Sequence, residues 1–189
     1  MWALVESGSI TATYNQPKAI QVGDIKYPKN IFELWSNSEL EAIGIYEVVF
    51  DNTNYKNPEY YINGNQTFNF ANDTVTASYG TATAKQLNDS GSGESLVKGL
   101  KTLHKETVDQ QAYELLQPSD WMVVRKEEVS TAIPSDWSTY RAGVRTAAAD
   151  MKTKIDAVSD VDALAALYVY NDANPPVRPL GEFPTPPSS

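Results

Sequence analysis

Apolar and polar positions alternate along the first part of the chain and then recur at helical spacing. Short alternating runs predict strands, because successive strand residues point to opposite faces of a sheet. Tight hairpin turns are predicted at Ser7-Gly8, Gly23-Asp24 and Asn63-Gly64, since such residues accept a positive φ. The pattern predicts an antiparallel β-rich domain over residues 1–87.

One short helix is predicted within this domain. The run from Ser36 to Glu39 matches a capping box, in which Ser36 caps free N–H groups and Glu39 reaches back to the Ser36 N–H. Gly44 stands where a helix C-terminal cap belongs. Trp2 is expected to pack under the sheet, because its large apolar surface is costly to leave in water.

The period changes after a polar segment. Residues 88–93 hold two Gly and two Ser, which is typical of a flexible linker between domains. Beyond it, apolar residues at helical spacing predict a long amphipathic helix over residues 94–117, which Pro118 ends. Residues 121–125 are expected to form a short strand or an extended connection.

Two further helices complete a small helical domain, predicted over residues 94–170. The first of them should begin with Ser135 or Asp136 as its cap, and the second with Asp160, because short polar side chains satisfy free helix N–H groups. The predicted fold class is therefore α+β.

Residues 171–189 hold six of the 11 prolines of the chain. Proline continues neither a helix nor an interior strand. The tail is expected to be extended, partly as polyproline II, and to become ordered only along a partner or along its own domain.

The charge and composition exclude several functions. The net charge is −9 and both halves are acidic, so nucleic-acid binding through phosphates is not expected. There is no cysteine, which excludes disulfides, thiolate catalysis and sulfur-ligated zinc. The sequence contains no run of about 18 apolar residues, so no membrane span is predicted. The first residues do not resemble a secretory signal.

The candidate chemistry is sparse. His104 is the only histidine and falls at helical spacing between apolar residues, which favours a structural role over metal or general-base chemistry. Asp24, Asp51 and Asp73 lie in predicted turns and lack the spacing of a calcium loop. We therefore expect no catalytic residues, no cofactor and no metal site.

A group of aromatic and basic residues is more informative. It comprises Trp121, Trp137, Tyr140, Arg141 and Arg145. Trp and Arg concentrate binding energy at protein interfaces, so these five are the candidate partner-binding residues. The alternative is that both tryptophans belong to the core, with the arginines paired to Glu127, Glu128 or Asp136.

The same stretch carries a family resemblance. Leu115-Leu116, Ser119-Asp120-Trp121 and Trp137-x-x-Tyr140-Arg141-x-x-Val144-Arg145 resemble a signature, LL-x-x-[ST]-D-W followed by W-x-x-YR-x-x-[LV]-R, of tailed-phage proteins called tail assembly chaperones. The run from Tyr27 to Ser36 and the one from Glu39 to Ile45 are similar to the front half of such proteins. Together the two matches touch under half of the chain.

The resemblance implies a non-enzymatic bacteriophage protein whose partners are tail or tail-fibre proteins. One interpretation is a structural or adaptor component of the tail, fibre or baseplate, present in the virion tail and in the host cytoplasm during assembly. The alternative is an assembly chaperone that is absent from the mature virion. Self-association into a homo-oligomer is left open. An envelope-degrading enzyme has no motif in its favour.

Overall fold

The chain folds into two compact units. The structure, a computed structural model, describes residues 1–188 and divides into a unit from Met1 to Thr83 and a second that begins at Ala84. The α+β class is confirmed. The division lies before the predicted linker, and that segment is itself structured: Ser90 pairs with Val97, and the Gly99 N–H donates to Asp89 at 2.7 Å.

The first unit is built on one five-stranded sheet. The nine strands among residues 1–188 are β1 (Trp2–Glu6), β2 (Ser9–Tyr14), β3 (Ile20–Val22), β4 (Ile25–Tyr27), β5 (Ile45–Asp51), β6 (Tyr61–Ile62), β7 (Gln66–Ala71), β8 (Thr74–Tyr79) and β9 (Thr83–Ala84), the last of which ends at the first residue of the second unit. The sheet has the order β2-β1-β5-β8-β7, while β3 pairs with β4 and β6 with β9 in two small ribbons. Strands β2 and β7 approach one another, so the sheet curls.

The prediction of a wholly antiparallel sheet was wrong in one place. Strands β5 and β8 run parallel, with Val48 opposite Val75 and Phe50 opposite Ala77. The hairpin of β7 and β8 inserts its second strand beside β5, so that β8 enters the sheet in the same direction as β5. The remaining pairs within the large sheet are antiparallel, and the sheet is therefore mixed.

The turn predictions had different outcomes. Ser7 and Gly8 have positive φ values of 51° and 77°, and Gly23 has one of 56°, as predicted. The prediction of a hairpin at Asn63-Gly64 was wrong, because β7 pairs with β8 through a turn at Asn72-Asp73. These two residues have φ values of 52° and 53°. Gly64 instead allows a close approach, since a Cβ there would lie 3.2 Å from the Gly80 backbone.

Two short helices cover one face of this sheet, where a single helix was predicted. They are α1 (Ile31–Leu34) and α2 (Asn37–Glu41), separated by an extended Trp35. The predicted capping box is present at Ser36 and Glu39, and Gly44 has the positive φ of 83°. Trp2 packs beneath the sheet against Phe32, with ring centroids 4.8 Å apart.

The second unit is helical. Its helices are α3 (Leu100–Leu116), α4 (Asp120–Val129), α5 (Ser135–Ala157) and α6 (Val161–Ala166). Helix α3 begins at Leu100 rather than residue 94, because Gly99 is extended and lies against Asn88, where a Cβ would come within 2.4 Å of the carbonyl carbon. Helices α3 and α5 are antiparallel, as the pairs Lys105–Asp156 and Lys152–Asp109 show.

The residues expected to be a strand or an extended connection form α4 instead. Pro118 ends α3 but occupies a 3₁₀ turn, Gln117–Ser119, that leads directly into α4. Proline fits this position because the first turn of a helix needs no N–H partner. The helix ends at Ser130, which has a left-handed φ of 58°.

The predicted caps of the last two helices fared differently. No side chain caps α5, whose N-cap residue is Pro134, so the prediction of Ser135 or Asp136 was wrong. Asp160 caps α6 as predicted, and accepts from the Ala163 N–H at 2.7 Å. Proline at the entry of α5 presets the backbone without a side-chain acceptor.

The proline-rich tail lies along the helical unit of its own chain. Leu180 is buried among the helices with 3% of its surface exposed, and its N–H donates to the Leu167 carbonyl. The Lys154 ammonium group donates to the carbonyls of Pro179 and Leu180, at 2.8 and 3.1 Å. The end of α5 therefore anchors the middle of the tail.

Candidate functional site

The signature residues meet at one buried polar junction. Arg141 of α5 is only 5% exposed and directs its guanidinium group at the end of α3 and the start of α4. Its Nη1 donates to the Leu116 carbonyl at 2.9 Å and to Ser119 Oγ at 2.6 Å, and its Nη2 donates to Asp120 Oδ1 at 2.8 Å. We call Leu116, Ser119, Asp120 and Arg141 the Arg141 junction.

Helix-end chemistry explains this arrangement. The last carbonyls of a helix lack intrahelical partners and carry a partial negative charge. Arg141 supplies donors and a positive charge at the end of α3, and Tyr140 Oη also contacts the Leu115 carbonyl at 3.4 Å. Ser119, with none of its surface exposed, accepts from Arg141 and donates to Leu116 at 2.9 Å. The junction therefore fixes α3, α4 and α5 together.

The five predicted partner-binding residues do not share one surface. Tyr140 and Arg141 are buried, Trp137 is half-buried, and Trp121 and Arg145 are exposed. The Trp137 ring packs edge-on against Tyr140, with centroids 5.7 Å apart. Tyr140 also lines a cleft of about 680 Å³ with Gly143 and the tail.

The proposed partners of the arginines need correction. Arg141 pairs with Asp120 rather than with Glu127, Glu128 or Asp136. The Asp120 side chain keeps 51% of its surface exposed, so the hydrogen bonds to Ser119 and Leu116 contribute to the junction beside the ion pair. The only hydrogen bond of Arg145 in residues 1–188 is a longer one, 3.3 Å to the Arg141 carbonyl.

An exposed apolar face runs along α4. Trp121, Val124 and Val129 keep 54%, 53% and 65% of their surfaces exposed. The Arg125 guanidinium carbon lies 4.8 Å from the centroid of the Trp121 ring, which is a cation–π contact. We call these residues, with Glu128, the α4 face.

A preformed apolar cleft lies where the tail leaves the helices. It measures about 430 Å³ and is lined by Ala166, Val169, Tyr170, Asn171, Val177, Arg178 and Pro179, and we call it the tail groove. Its wall is set by Asn171, whose side-chain oxygen accepts from the N–H groups of Ala173 and Val177. Val169, Tyr170 and Val177 are each about half exposed or more.

An ionic cluster closes one side of the tail groove. Arg178 lies over the rings of Tyr168 and Tyr170, at 5.8 and 5.4 Å from their centroids, and pairs with Glu182 at 2.8 Å. The hydrogen bond from Tyr170 to Glu182 raises the pKa of the tyrosine hydroxyl. The only signal of this groove in the sequence is the density of aromatic and branched residues before the prolines.

The remaining candidates have structural settings. His104 Nδ1 lies 2.7 Å from Tyr168 Oη, in a buried contact between α3 and the segment after α6. Asp51 accepts from the N–H and the hydroxyl of Thr53, which lower its pKa, as in a side-chain-closed turn.

Neither a metal-binding cluster nor a membrane-spanning helix is present among residues 1–188. Residues 1–188 contain no cluster of three or more His, Asp or Glu side chains placed to hold a metal ion. None of the helices described is long and apolar enough to cross a bilayer.

The comparisons with known proteins returned no relative. No protein-family model, curated protein sequence or solved structure matches the chain.

Proposed function

We propose that the chain is a non-enzymatic structural or adaptor protein of a bacteriophage tail, tail fibre or baseplate. It would reside in the virion tail, after assembly in the host cytoplasm, with tail or tail-fibre proteins as its partners. The observation that carries the proposal is the exposure of aromatic and apolar side chains on the helical unit, at the α4 face and the tail groove. The resemblance of the signature residues to tail assembly chaperones supplies the phage context.

Hydrogen bonds hold both surfaces in place, which supports a binding role. The Arg141 junction holds the start of α4 through Ser119 and Asp120. Asn171 and Lys154 hold the tail groove from its two sides through backbone hydrogen bonds. A surface that is ordered before binding loses less conformational entropy in a complex.

Groups of exposed aromatic, branched and arginine side chains are typical of protein contacts. In the tail groove, Val169 and Val177 form an apolar lining, and Arg178 adds a charge at its side. A tail or fibre subunit that inserts one or two apolar side chains would fill a space of about 430 Å³.

The chaperone alternative is favoured by one observation. Trp121, Val124 and Val129 could cover an apolar strip on an unassembled subunit and leave when the subunit reaches its place, as an amphipathic helix does in a partner's groove. Such a protein acts in the cytoplasm and does not stay in the particle.

Mass spectrometry of purified virions separates the two roles. We expect peptides of this chain in intact particles, at an amount comparable with other tail proteins. Absence from intact particles, together with presence in the lysate of infected cells, would overturn the structural role and favour the chaperone. Presence in neither would leave the phage context without support.

A variant of the tail groove tests the partner surface. Val177→Lys places a charge in the groove and keeps both backbone hydrogen bonds of Val177 with Asn171. We expect loss of incorporation into particles, because a buried lysine without a counter-charge is costly at an interface. The matched control is Leu103→Lys, at an α3 position that is 45% exposed. Equal incorporation of the two variants would exclude the groove as the contact.

A further inference from the structure

Helix α4 has apolar residues on more than one side. Met122 is buried, while Trp121 and Val124, about 100° and 160° around the helix from it, are exposed. At about 100° per residue, Trp121, Arg125 and Glu128 fall within about 60° of one another, and the two valines flank them. A helix that is apolar on both sides is typically buried on both.

The charges along α4 are complementary to those of a second α4 helix that runs in the opposite direction. The helix reads Val124-Arg125-Lys126-Glu127-Glu128-Val129, so the cation–anion order inverts about the midpoint of the six residues. If a second copy runs antiparallel about a two-fold axis there, Arg125 meets Glu128 of the other copy, with the valines at the edges of the contact. Each contact then occurs twice, as an isologous interface requires.

The charged members of the face are available for such pairing. Among residues 1–188, Arg125 has a cation–π contact with the Trp121 ring, and neither Arg125 nor Glu128 makes an ion pair. The Nε atom of Arg125 is covered without a hydrogen-bond partner in that range. Lys126 and Glu127 lie about 100° or more around the helix from both Arg125 and Glu128, so they supply internal controls.

We propose that the α4 face binds a second copy of this chain in an antiparallel, two-fold symmetric pair. The proposal does not depend on the phage role.

The size of the contact sets the expected affinity. Two ten-residue helices span only about 15 Å. The buried area is therefore below the roughly 1,200–2,000 Å² of a standard interface. A dissociation constant between about 10 μM and 1 mM is expected, with monomers predominant in dilute solution.

Charge reversal in analytical ultracentrifugation tests the register. The wild type should associate as its concentration approaches about a millimolar. Arg125→Glu and Glu128→Arg should each bind themselves at least about tenfold more weakly, because like charges then face one another. An equimolar mixture of the two variants should associate at least as well as the wild type, since both contacts become matched. The double variant R125E/E128R should recover self-association in one chain.

The controls keep the outcome unambiguous. Lys126→Glu and Glu127→Lys reverse charges on the same helix but off the face, and should leave the association constant within about twofold. Circular dichroism should show unchanged helix content in every variant. A wild type that stays monomeric to about a millimolar, or single reversals that associate as well as the wild type, would overturn the proposal. So would a mixture that fails to associate. None of these outcomes bears on the detection of the chain in virions.

Discussion

Replacement of Arg141 by Met should unfold the helical unit at a much lower temperature. Methionine keeps much of the arginine stem but cannot donate to Leu116, Ser119 or Asp120, which Arg141 contacts at 2.9, 2.6 and 2.8 Å. Hydrogen bonds from a charged group contribute about 1.5–3 kcal/mol each. The Asp120 bond counts for less, because that carboxylate is half exposed and returns to water.

The expected loss is about 3 kcal/mol of the free energy of unfolding. Ser119 still donates to Leu116 in the variant, so neither buried oxygen is left entirely without a partner, and this keeps the estimate at the low end of the 3–5 kcal/mol for broken buried pairs. For a unit of about 100 residues, such a loss lowers the unfolding temperature by about 12–24 °C.

Far-UV circular dichroism during heating measures this change, because the long helices belong to the second unit. Arg145→Met is the matched control, since Arg145 lies one helical turn away, is exposed, and makes a single 3.3 Å hydrogen bond. The control should shift the midpoint by less than about 4 °C. Equal midpoints for the two variants would refute the argument that the junction stabilises the helical unit.

Three further predictions follow from single contacts. Lys154→Met should release the tail, because the carbonyls of Pro179 and Leu180 lose their donor. The Leu180 N–H should then exchange faster with solvent, and an unchanged exchange rate would contradict this prediction. Gly99→Ala should destabilise the helical unit by about 1–3 kcal/mol through overpacking, because the added carbon would lie 2.4 Å from Asn88. Urea unfolding measures this change, and an unchanged free energy of unfolding would refute the clash. Hydrogen bonds from the Gly99 N–H to Asp89 and from the Ala163 N–H to Asp160 lower both carboxyl pKa values. Their stabilisation is therefore present above about pH 4 and lost as the pH falls through the lower folded values. D89N/D160N should have a smaller fall in stability with acid than the wild type.

Local signals in the sequence predicted the elements better than their pairing. Ser36 and Glu39 form the expected capping box, and Asp160 caps its helix, because a cap depends only on residues within one turn. Asn63-Gly64 was the strongest hairpin signal, yet the hairpin forms at Asn72-Asp73. Both sequences tolerate a left-handed turn, and only the pairing of distant strands decides between them.

Helix α4 was missed for a similar reason. Trp121, Val123 and Val124 favour strands by intrinsic preference, and a proline stands just before them. The 3₁₀ turn at Pro118 and the hydrogen bonds that hold Ser119 and Asp120 outweigh that preference. Those bonds come from Arg141, a residue more than twenty positions away, so a local pattern could not reveal them.

The candidate site was predicted in composition but not in arrangement. The sequence identified Trp121 and Arg141 as members of one group, and the structure places one on the surface and the other in the interior. Arginine and tryptophan occur at interfaces, and also in interiors where the arginine is paired, and burial is a property of the folded unit. The tail groove depends on a chain reversal at Asn171 that no spacing rule predicts.

Cross-linking mass spectrometry of intact virions tests the proposed function most directly. A lysine-reactive reagent should link Lys154, which anchors the tail beside the groove, or Lys126, which lies on α4, to a tail or fibre protein. We expect such links in intact wild-type particles, and their loss together with the chain itself when Val177→Lys replaces the wild type. Wild-type particles that lack this chain, or Val177→Lys particles that contain it with the same links, would contradict the proposed function.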